Sequence, residues 1–323
     1  MHYWTNKRPR RSRCVVSGLR LFGLRLLGLL LVGFCSSPLI LAESLRVATY
    51  NLNNYLLTDR YVDSVWRPSY PKPEAEKTVI REVIRQTLPD ILAVQEIGGR
   101  PFLEELRADL LQEGVHYPHL LHMQGADDLR HIAVLSKRLP LEVVKHQDLE
   151  FNYQNRRQPV RRGMLELSFA RSNGTVFKLF VVHLKSRWSD LKQDPQSRLY
   201  RTREAEACRN RILARTHHIG MLNFLIAGDF NDHPVSAPLR RFYRKGGLNI
   251  GALVPATDSR GEQWTHFYRK QVVYSLVDGF IASCALAPDV KAGHGHIAEV
   301  SSISFGSDHR LVYLDLVEPA PIR

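Results

Sequence analysis

The sequence predicts an α+β fold in which two sheets pack face to face with helices outside. Three observations lead there. Runs of strand length outnumber helical patterns, many of those runs are apolar at every position, and the helical segments carry one apolar face. A strand buried on both faces loses the usual alternation, so wholly apolar runs belong inside a stack of layers. Leu45–Asn51 reads as a strand ending in an Asn-rich turn. Pro73 opens a helix through Leu88, with Val79, Ile80, Val83, Ile84 and Leu88 on one face and Glu/Arg on the other. Pro89-Asp90 stops it, and Ile91–Gln95 is a short apolar strand. Pro101 opens a second helix to about Gln112. Strands follow near 131–136, 162–169 and 176–183, then a long helix over Arg198–Ile219, then strands near 223–227, 272–283 and 309–317. No internal repeat or low-complexity linker interrupts this order, so one domain is expected over residues 43–323.

Residues 1–42 stand apart. They hold seven Lys/Arg and no acid, basic up to Arg13 and then apolar from Leu19 to Ala42 apart from Arg20, Arg25 and two serines. That order reads as a signal peptide or an N-terminal membrane anchor. It implies export to the periplasm or the extracellular space, with attachment to the membrane only if the leader is retained. The formal charge of +13 then falls to +6 over the remaining 281 residues, 38 basic against 32 acidic. With 44% hydrophobic and 24% charged residues a sizeable core is available, which excludes disordered, collagen-like and coiled-coil classes. Outside the leader only Cys208 and Cys284 remain, too few for a disulfide-stapled scaffold or a cysteine zinc site. Two buried thiols are the expected state, with one disulfide as the alternative.

Polar clusters mark the ends of the apolar runs. Five of them are Thr49-Tyr50-Asn51, Val94-Gln95-Glu96, Val182-His183-Leu184-Lys185, Gly228-Asp229-Phe230-Asn231 and Ser307-Asp308-His309. A sixth, Val277-Asp278-Gly279, sits inside a run. Side chains at strand ends come from distant parts of the chain and gather on one rim of a sheet. In this order, from Leu45 to about Val317, the clusters resemble the endonuclease/exonuclease/phosphatase superfamily, the fold of pancreatic deoxyribonuclease. The resemblance implies a four-layer αββα sandwich of two mostly antiparallel sheets flanked by helices.

Phosphodiester hydrolysis explains why these residue types belong together. The substrate is an anion whose transition state gathers charge, so a hard divalent cation helps, and Mg²⁺ prefers one or two carboxylates plus waters. Glu96 at the end of a buried strand fits such a ligand, and Asn51 offers a neutral amide. The resemblance assigns metal-binding roles to Asn51, Glu96 and Asp308, with Mg²⁺ as cofactor and Mn²⁺ as a substitute. The attacking water must lose a proton, which suits an imidazole oriented by a carboxylate. His309 is the candidate base and Asp278 its orienter, a pair that the family shares. Asp229 and Asn231 alternate with Phe230, so both can face the site while Phe230 packs behind. The resemblance places them beside the scissile phosphate. His183 matches a histidine that bonds the phosphate or protonates the leaving group in the deoxyribonuclease and sphingomyelinase branches.

Charge points to the substrate. Between Leu184 and His218 there are nine Lys/Arg against four acids, with Trp188 and Tyr200 among them, and Arg156, Arg157, Arg161 and Arg162 lie upstream. Basic residues mixed with aromatics suit a polyanion held by its backbone, with rings free to stack on bases. Arg162 and Lys185 are the candidate phosphate contacts; the competing reading of Arg201–Arg215 is a solvated helix face paired with Glu204 and Glu206. The expected activity is a Mg²⁺-dependent nuclease acting on DNA or RNA, with nucleic acid as its partner and no protein partner inferable. The alternative is a phosphomonoesterase or sphingomyelinase-like phospholipid phosphodiesterase on the same fold. A non-enzymatic DNA-adhering protein is a third class, disfavoured by the full set of candidate catalytic residues. No long exposed aromatic hairpin of the kind that enters a bilayer is evident. Three features depart from the family pattern or stand outside it. Gly279 follows Asp278 where an aromatic is common, His294 and His296 fall in a segment expected to be a flexible loop, with metal binding by the His-x-His as the alternative, and His217-His218 suits a helix C-terminus.

Overall fold

The computed structural model describes residues 44–217, 222–299 and 306–320; the expected leader over 1–42 and His218 lie outside them. In chain order the framing elements are β1 (Ser44–Tyr55), α1 (Glu74–Thr87), β2 (Ile91–Ile97), α2 (Arg100–Gln112), β3 (His119–Met123) and β4 (His131–Ser136). They continue with β5 (Glu142–His146), β6 (Met164–Ala170), β7 (Val176–His183), α3 (Arg198–Thr216), β8 (Phe224–Asp229) and α4 (Ala237–Tyr243). The last are β9 (Gly251–Leu253), β10 (Ala256–Thr257), β11 (Asp278–Ser283), β12 (Gly295–Ile297) and β13 (Val312–Val317). One sheet has the order β10-β12-β13-β1-β2-β4-β3, the other β9-β11-β8-β7-β6-β5. Neighbours are antiparallel except at β1/β2, β10/β12 and β7/β8.

Residue parity assembles the layers. Successive side chains on a strand point to opposite faces. Val47, Ile91, Ala93 and Val134 of the first sheet meet Leu165, Leu179, Val181, Leu225 and Ala227 of the second in one core between the sheets. Their chain neighbours Ala48, Leu92, Val94 and Leu135 pack instead on Ile80, Val83 and Ile84 of α1 and on Leu103, Leu106 and Leu110 of α2. In the second sheet Phe180, Val182 and Ile226 pack under Ala205, Cys208 and Ile212 of α3 and under Leu239 and Phe242 of α4. The wholly apolar strands are therefore covered on both sides, and the result is the four-layer αββα sandwich. Burying one such side chain contributes roughly 1.5–3 kcal/mol, and three continuous apolar layers leave room for a polar rim.

Several local expectations change. The run 272–283 is two pieces, Val273–Ser275 and Asp278–Ser283. The break occurs because the N–H groups of Val277 and Asp278 donate to the Thr265 hydroxyl at 3.0 Å each instead of joining a ladder. Asp278 thus begins a strand rather than interrupting one. His296 lies in β12, paired with β10 and β13, and its ring stacks on Tyr313, so Gly295–Ile297 is sheet where a flexible loop was expected, while His294 precedes the strand. Both cysteines are free, but only Cys208 is buried; Cys284 is exposed. An aromatic hairpin is present after all. Thr58–Val62 pairs with Val65–Tyr70 and exposes Tyr61, Val65 and Trp66, the two rings 5.6 Å apart. Its mixture of charged and apolar residues hides the strand period, which is why it was not expected.

Candidate active site

The same parity that builds the core delivers the polar residues to its edge. Asn51 shares the face of Val47 on β1, His183 that of Val181 on β7, Asp229 that of Ala227 on β8, and Asp278 that of Phe280 on β11. Across the second sheet His183 stands opposite Asp229, and Asp229 opposite Asp278. Gly228 permits this: its φ is 149°, and a Cβ there would lie 1.9 Å from the Val182 carbonyl oxygen. Gly279, its cross-strand partner, also has a positive φ of 154°. The residue that departed from the family pattern thus meets a backbone requirement.

Hydrogen bonds hold the carboxylates. Asp229 Oδ2 accepts from the side-chain amides of Asn51 and Asn231, each at 3.0 Å, and Oδ1 accepts the Asn231 N–H at 2.8 Å. His183 Nε2 lies 3.5 Å from Asp229 Oδ2 and 3.8 Å from Glu96 Oε1. His309 Nδ1 is bonded to Asp278 Oδ2 at 2.8 Å. Glu96 Oε2 accepts the Asn54 N–H at 3.0 Å. Phe230 is buried behind the site, 5.9 Å from Phe242 between ring centroids. Glu96 has a φ of 60°, the left-handed region, where a glutamate costs of order 1–3 kcal/mol. Asn53, Asn54 and Asn231 share that region, which asparagine tolerates better.

Burial and neighbouring charges pull the groups apart. Burial and the Asp278 carboxylate push Asp229 up to about 7. Burial lowers His183 well below the ordinary histidine value, and Arg162, His309 and Arg130 push the same way, so it is neutral. Burial also works against a charge on His309, but Asp278, Asp229 and Asp308 outweigh it and hold the imidazole well above its ordinary value. Asp308 is lowered, because His266 and His309 overcome its desolvation. Two buried atoms, His183 Nδ1 and Asp278 Oδ1, have no hydrogen-bond partner.

Glu96, Arg162, Lys185, Asp229, Asn231, Asp308 and His309 line one open cleft of about 790 Å³. Asn51, His183 and Asp278 are buried and bonded to, or facing, Asp229 and His309. Arg162 is buried, with Nε 3.2 Å from Asp127 and neither Nε nor Nη1 hydrogen-bonded. Burial lowers Lys185 to about 8, and Arg162 and Arg161 beside it act in the same direction. Glu204, buried on α3, accepts the backbone N–H of Arg161 at 3.0 Å and of Lys185 at 2.6 Å, fastening the two cation-bearing loops together. The sequence concealed four site residues: His266, Asp127, Arg130 and Glu204. None ends an apolar run, which was the signal that found the others. The ring of His266 lies 4.6 Å from that of His309.

The basic helix is otherwise structural. Arg201 pairs with Asp232, Arg203 and Arg209 with Glu206, Arg211 with Asp148, and Arg215 with Glu142 and Glu166. Tyr200 packs edge-on against Phe151 and Tyr153, so of the two aromatics noted in this segment only Trp188 presents an open ring to the cleft.

Two trios of described side chains stand close enough to share an ion: His266, Asp308 and His309, and Asp229, Asp278 and His309. Glu96 and Asp308 present carboxylates to the same cleft, oxygen donors that fit a hard divalent cation. Asn51 commits its amide N–H to Asp229 and accepts the Asn53 N–H on Oδ1, so its carbonyl keeps one lone pair for further use.

Residues 48–309 match the model of the Endonuclease/Exonuclease/phosphatase family. Solved structures share the fold at low identity. An endonuclease/exonuclease/phosphatase from Bacteroides vulgatus is 16% identical with a TM-score of 0.58, covering 86% of this chain and 100% of its own. Sphingomyelinase C from Streptomyces griseocarneus is 15% identical with a TM-score of 0.54, covering 85% and 99%. A Neisseria 3′ phosphatase bound to a product DNA hairpin is 14% identical with a TM-score of 0.54, covering 84% and 99%. No curated protein sequence gave a match.

Proposed function

The chain belongs to the endonuclease/exonuclease/phosphatase family, whose members hydrolyse phosphoesters, and from that premise we propose an exported, divalent-metal-dependent phosphodiesterase that acts as a nuclease on DNA or RNA. One observation carries the reading. Buried carboxylates and imidazoles of unequal proton affinity meet in a cleft whose wall is Arg161, Arg162, Lys185 and Arg187. Asp127 faces Arg162, and a phosphate chain supplies negative charge to the rest of that wall.

Glu96 and Asp308, with Asn51 behind them, would hold a divalent cation, which would supply positive charge to the phosphate oxygens; Mg²⁺ or Mn²⁺ suits those donors. The other roles belong to the chain. His309 keeps its proton through Asp278, so it donates from Nε2 to a phosphate oxygen. Neutral His183 offers one further ring N–H. Asp229, poised near neutrality, takes the proton of the attacking water while the Asn231 and Asn51 amides hold it in place. The base role expected for His309 thereby passes to Asp229, because an imidazole flanked by three carboxylates does not give up its proton readily.

A second reading, phospholipid phosphodiester cleavage, is favoured by the exposed Tyr61 and Trp66 hairpin, since such rings suit a membrane surface. Export rests on the composition of residues 1–42. No helix among the described residues is long and apolar enough to cross a membrane. The test uses protein lacking residues 1–42 with supercoiled plasmid, RNA, sphingomyelin vesicles and a phosphomonoester, each with Mg²⁺ and with chelator. Plasmid or RNA cleavage that chelator abolishes is the expected result. Release of phosphocholine with nucleic acid untouched installs the second reading, and cleavage persisting in chelator refutes the metal role.

A further inference from the structure

The catalytic cleft does not end at the catalytic groups. It shares Arg161, Lys185 and Trp188 with an adjoining cavity of about 590 Å³, which continues to Arg156 and Gln154. It also shares Asn53, Tyr268 and Asp308 with a second cavity of about 320 Å³, which continues to Arg60, Lys270 and Glu76, the last paired with Lys72. The three form one trough with Asp229 and His309 in its middle section and cations in both arms. Each junction between the middle and an arm is marked by an exposed aromatic, Trp188 at 71% and Tyr268 at 42%.

These rings are mounted on fixed backbone. The Trp188 carbonyl accepts from Lys185 Nζ and from Ser197 Oγ, so the loop is pinned while the indole stays in solvent. Tyr268 lies in a hairpin pairing His266–Tyr268 with Val273–Ser275, two residues from His266 and on the same face of the strand. The hairpin backbone is tied to the site, the Phe267 N–H donating to the Asp308 carbonyl at 2.9 Å and His266 pairing with His309.

A ring at the mouth of a phosphate trough gains little from a duplex, whose bases are already stacked on each other. It gains from a base that is free, by stacking on it. A single phosphate ester fills only the middle section and reaches neither Arg156 in one arm nor Lys270 in the other. We propose that the trough binds a single-stranded polynucleotide threaded through both arms. The bases on either side of the scissile phosphate stack on Trp188 and Tyr268, and the strand is cut internally. This inference rests on the nuclease reading and adds strandedness and the position of the cut.

The test is cleavage of a covalently closed single-stranded DNA circle and of the same circle annealed to its complement, with Mg²⁺. Lower KM on the single-stranded circle is expected, and cleavage of a molecule without ends shows internal attack. Trp188→Ala and Tyr268→Ala are each expected to raise that KM about tenfold, with the change carried by KM rather than kcat, and Trp188→Phe and Tyr268→Phe to recover it. The inference is overturned by a duplex preference, by an uncut circle where linear strands are digested, or by alanine variants that shift both substrates alike. In those cases nucleic acid is still cleaved and the nuclease reading stands. If no nucleic acid is cut in any form, both fall together.

Discussion

Lys178 and His183 stand near opposite ends of the same strand, β7, and both are buried among ionisable neighbours. At the Lys178 end every charge has an answer. Its Nζ donates to Glu166, Glu142 and Ser168; Glu166 also bonds His146 at 2.7 Å and Arg215 at 2.8 Å. Burial alone would raise Glu166, but its bonds to His146, Arg215 and Lys178 hold it down to about 2. At the His183 end the balance is left open. Asp229 is pushed up instead of down, and His183 Nδ1 and Asp278 Oδ1 lack partners. A satisfied buried network specifies a structure, whereas an unsatisfied one keeps proton affinities and lone pairs available for a substrate.

The contrast breaks first at Asp229. Asp229→Ala is expected to lower kcat/KM on the order of a thousandfold or more. The wild-type acid limb should lie at or below about pH 7: a carboxylate raised to about 7 is an acceptor above that pH and loses the capacity as pH falls through it. Turnover within tenfold of wild type, or no acid limb, removes Asp229 from the proton path. Next comes Glu166→Ala, which leaves buried Lys178 with the half-exposed Glu142 as its remaining acid partner and removes the carboxylate from His146 and Arg215. The expected cost is about 3 kcal/mol in denaturant unfolding, the lower end for a broken buried pair because Arg215 and Glu142 are partly exposed, with turnover of the folded protein retained. An unfolding midpoint like that of wild type shows that this network does not hold the sheet.

Lys185 sharpens the comparison by a smaller step. Its charge is present below about pH 8 and lost above, so KM should rise as pH passes 8. Lys185→Arg should remove that limb, and Lys185→Ala should raise KM roughly tenfold and flatten the dependence on salt. An unchanged salt slope takes Lys185 out of the phosphate wall. The smallest effect belongs to Arg157, whose pair with Glu150 is largely exposed. Arg157→Ala should change stability by less than about 1 kcal/mol, and a larger loss in the same unfolding assay contradicts a surface origin.

Much of this was legible without coordinates. Apolar runs such as Ile91–Val94 and Phe224–Ala227 announced strands covered on both faces. Asn51, Glu96, His183, Asp229 and His309 were visible because each interrupts or ends such a run. The Thr58–Tyr70 and Glu150–Pro159 hairpins were not, since exposed strands rich in charge carry no periodic signal. Charge density misled in one respect. The arginines of α3 looked like a substrate surface, yet most are spent on Glu142, Asp148, Glu166, Glu206 and Asp232.

By itself the sequence determined the layers and the chemical kinds of residue at the rim, because strand period and burial are local properties of the chain. Which group holds a proton, which arginine faces a substrate and which aromatic remains free were decided only in the tertiary structure. Those outcomes depend on partners such as Asp278 for His309, 31 positions away, and Asn51 for Asp229, 178 positions away, brought within 3.0 Å by the packing of two sheets.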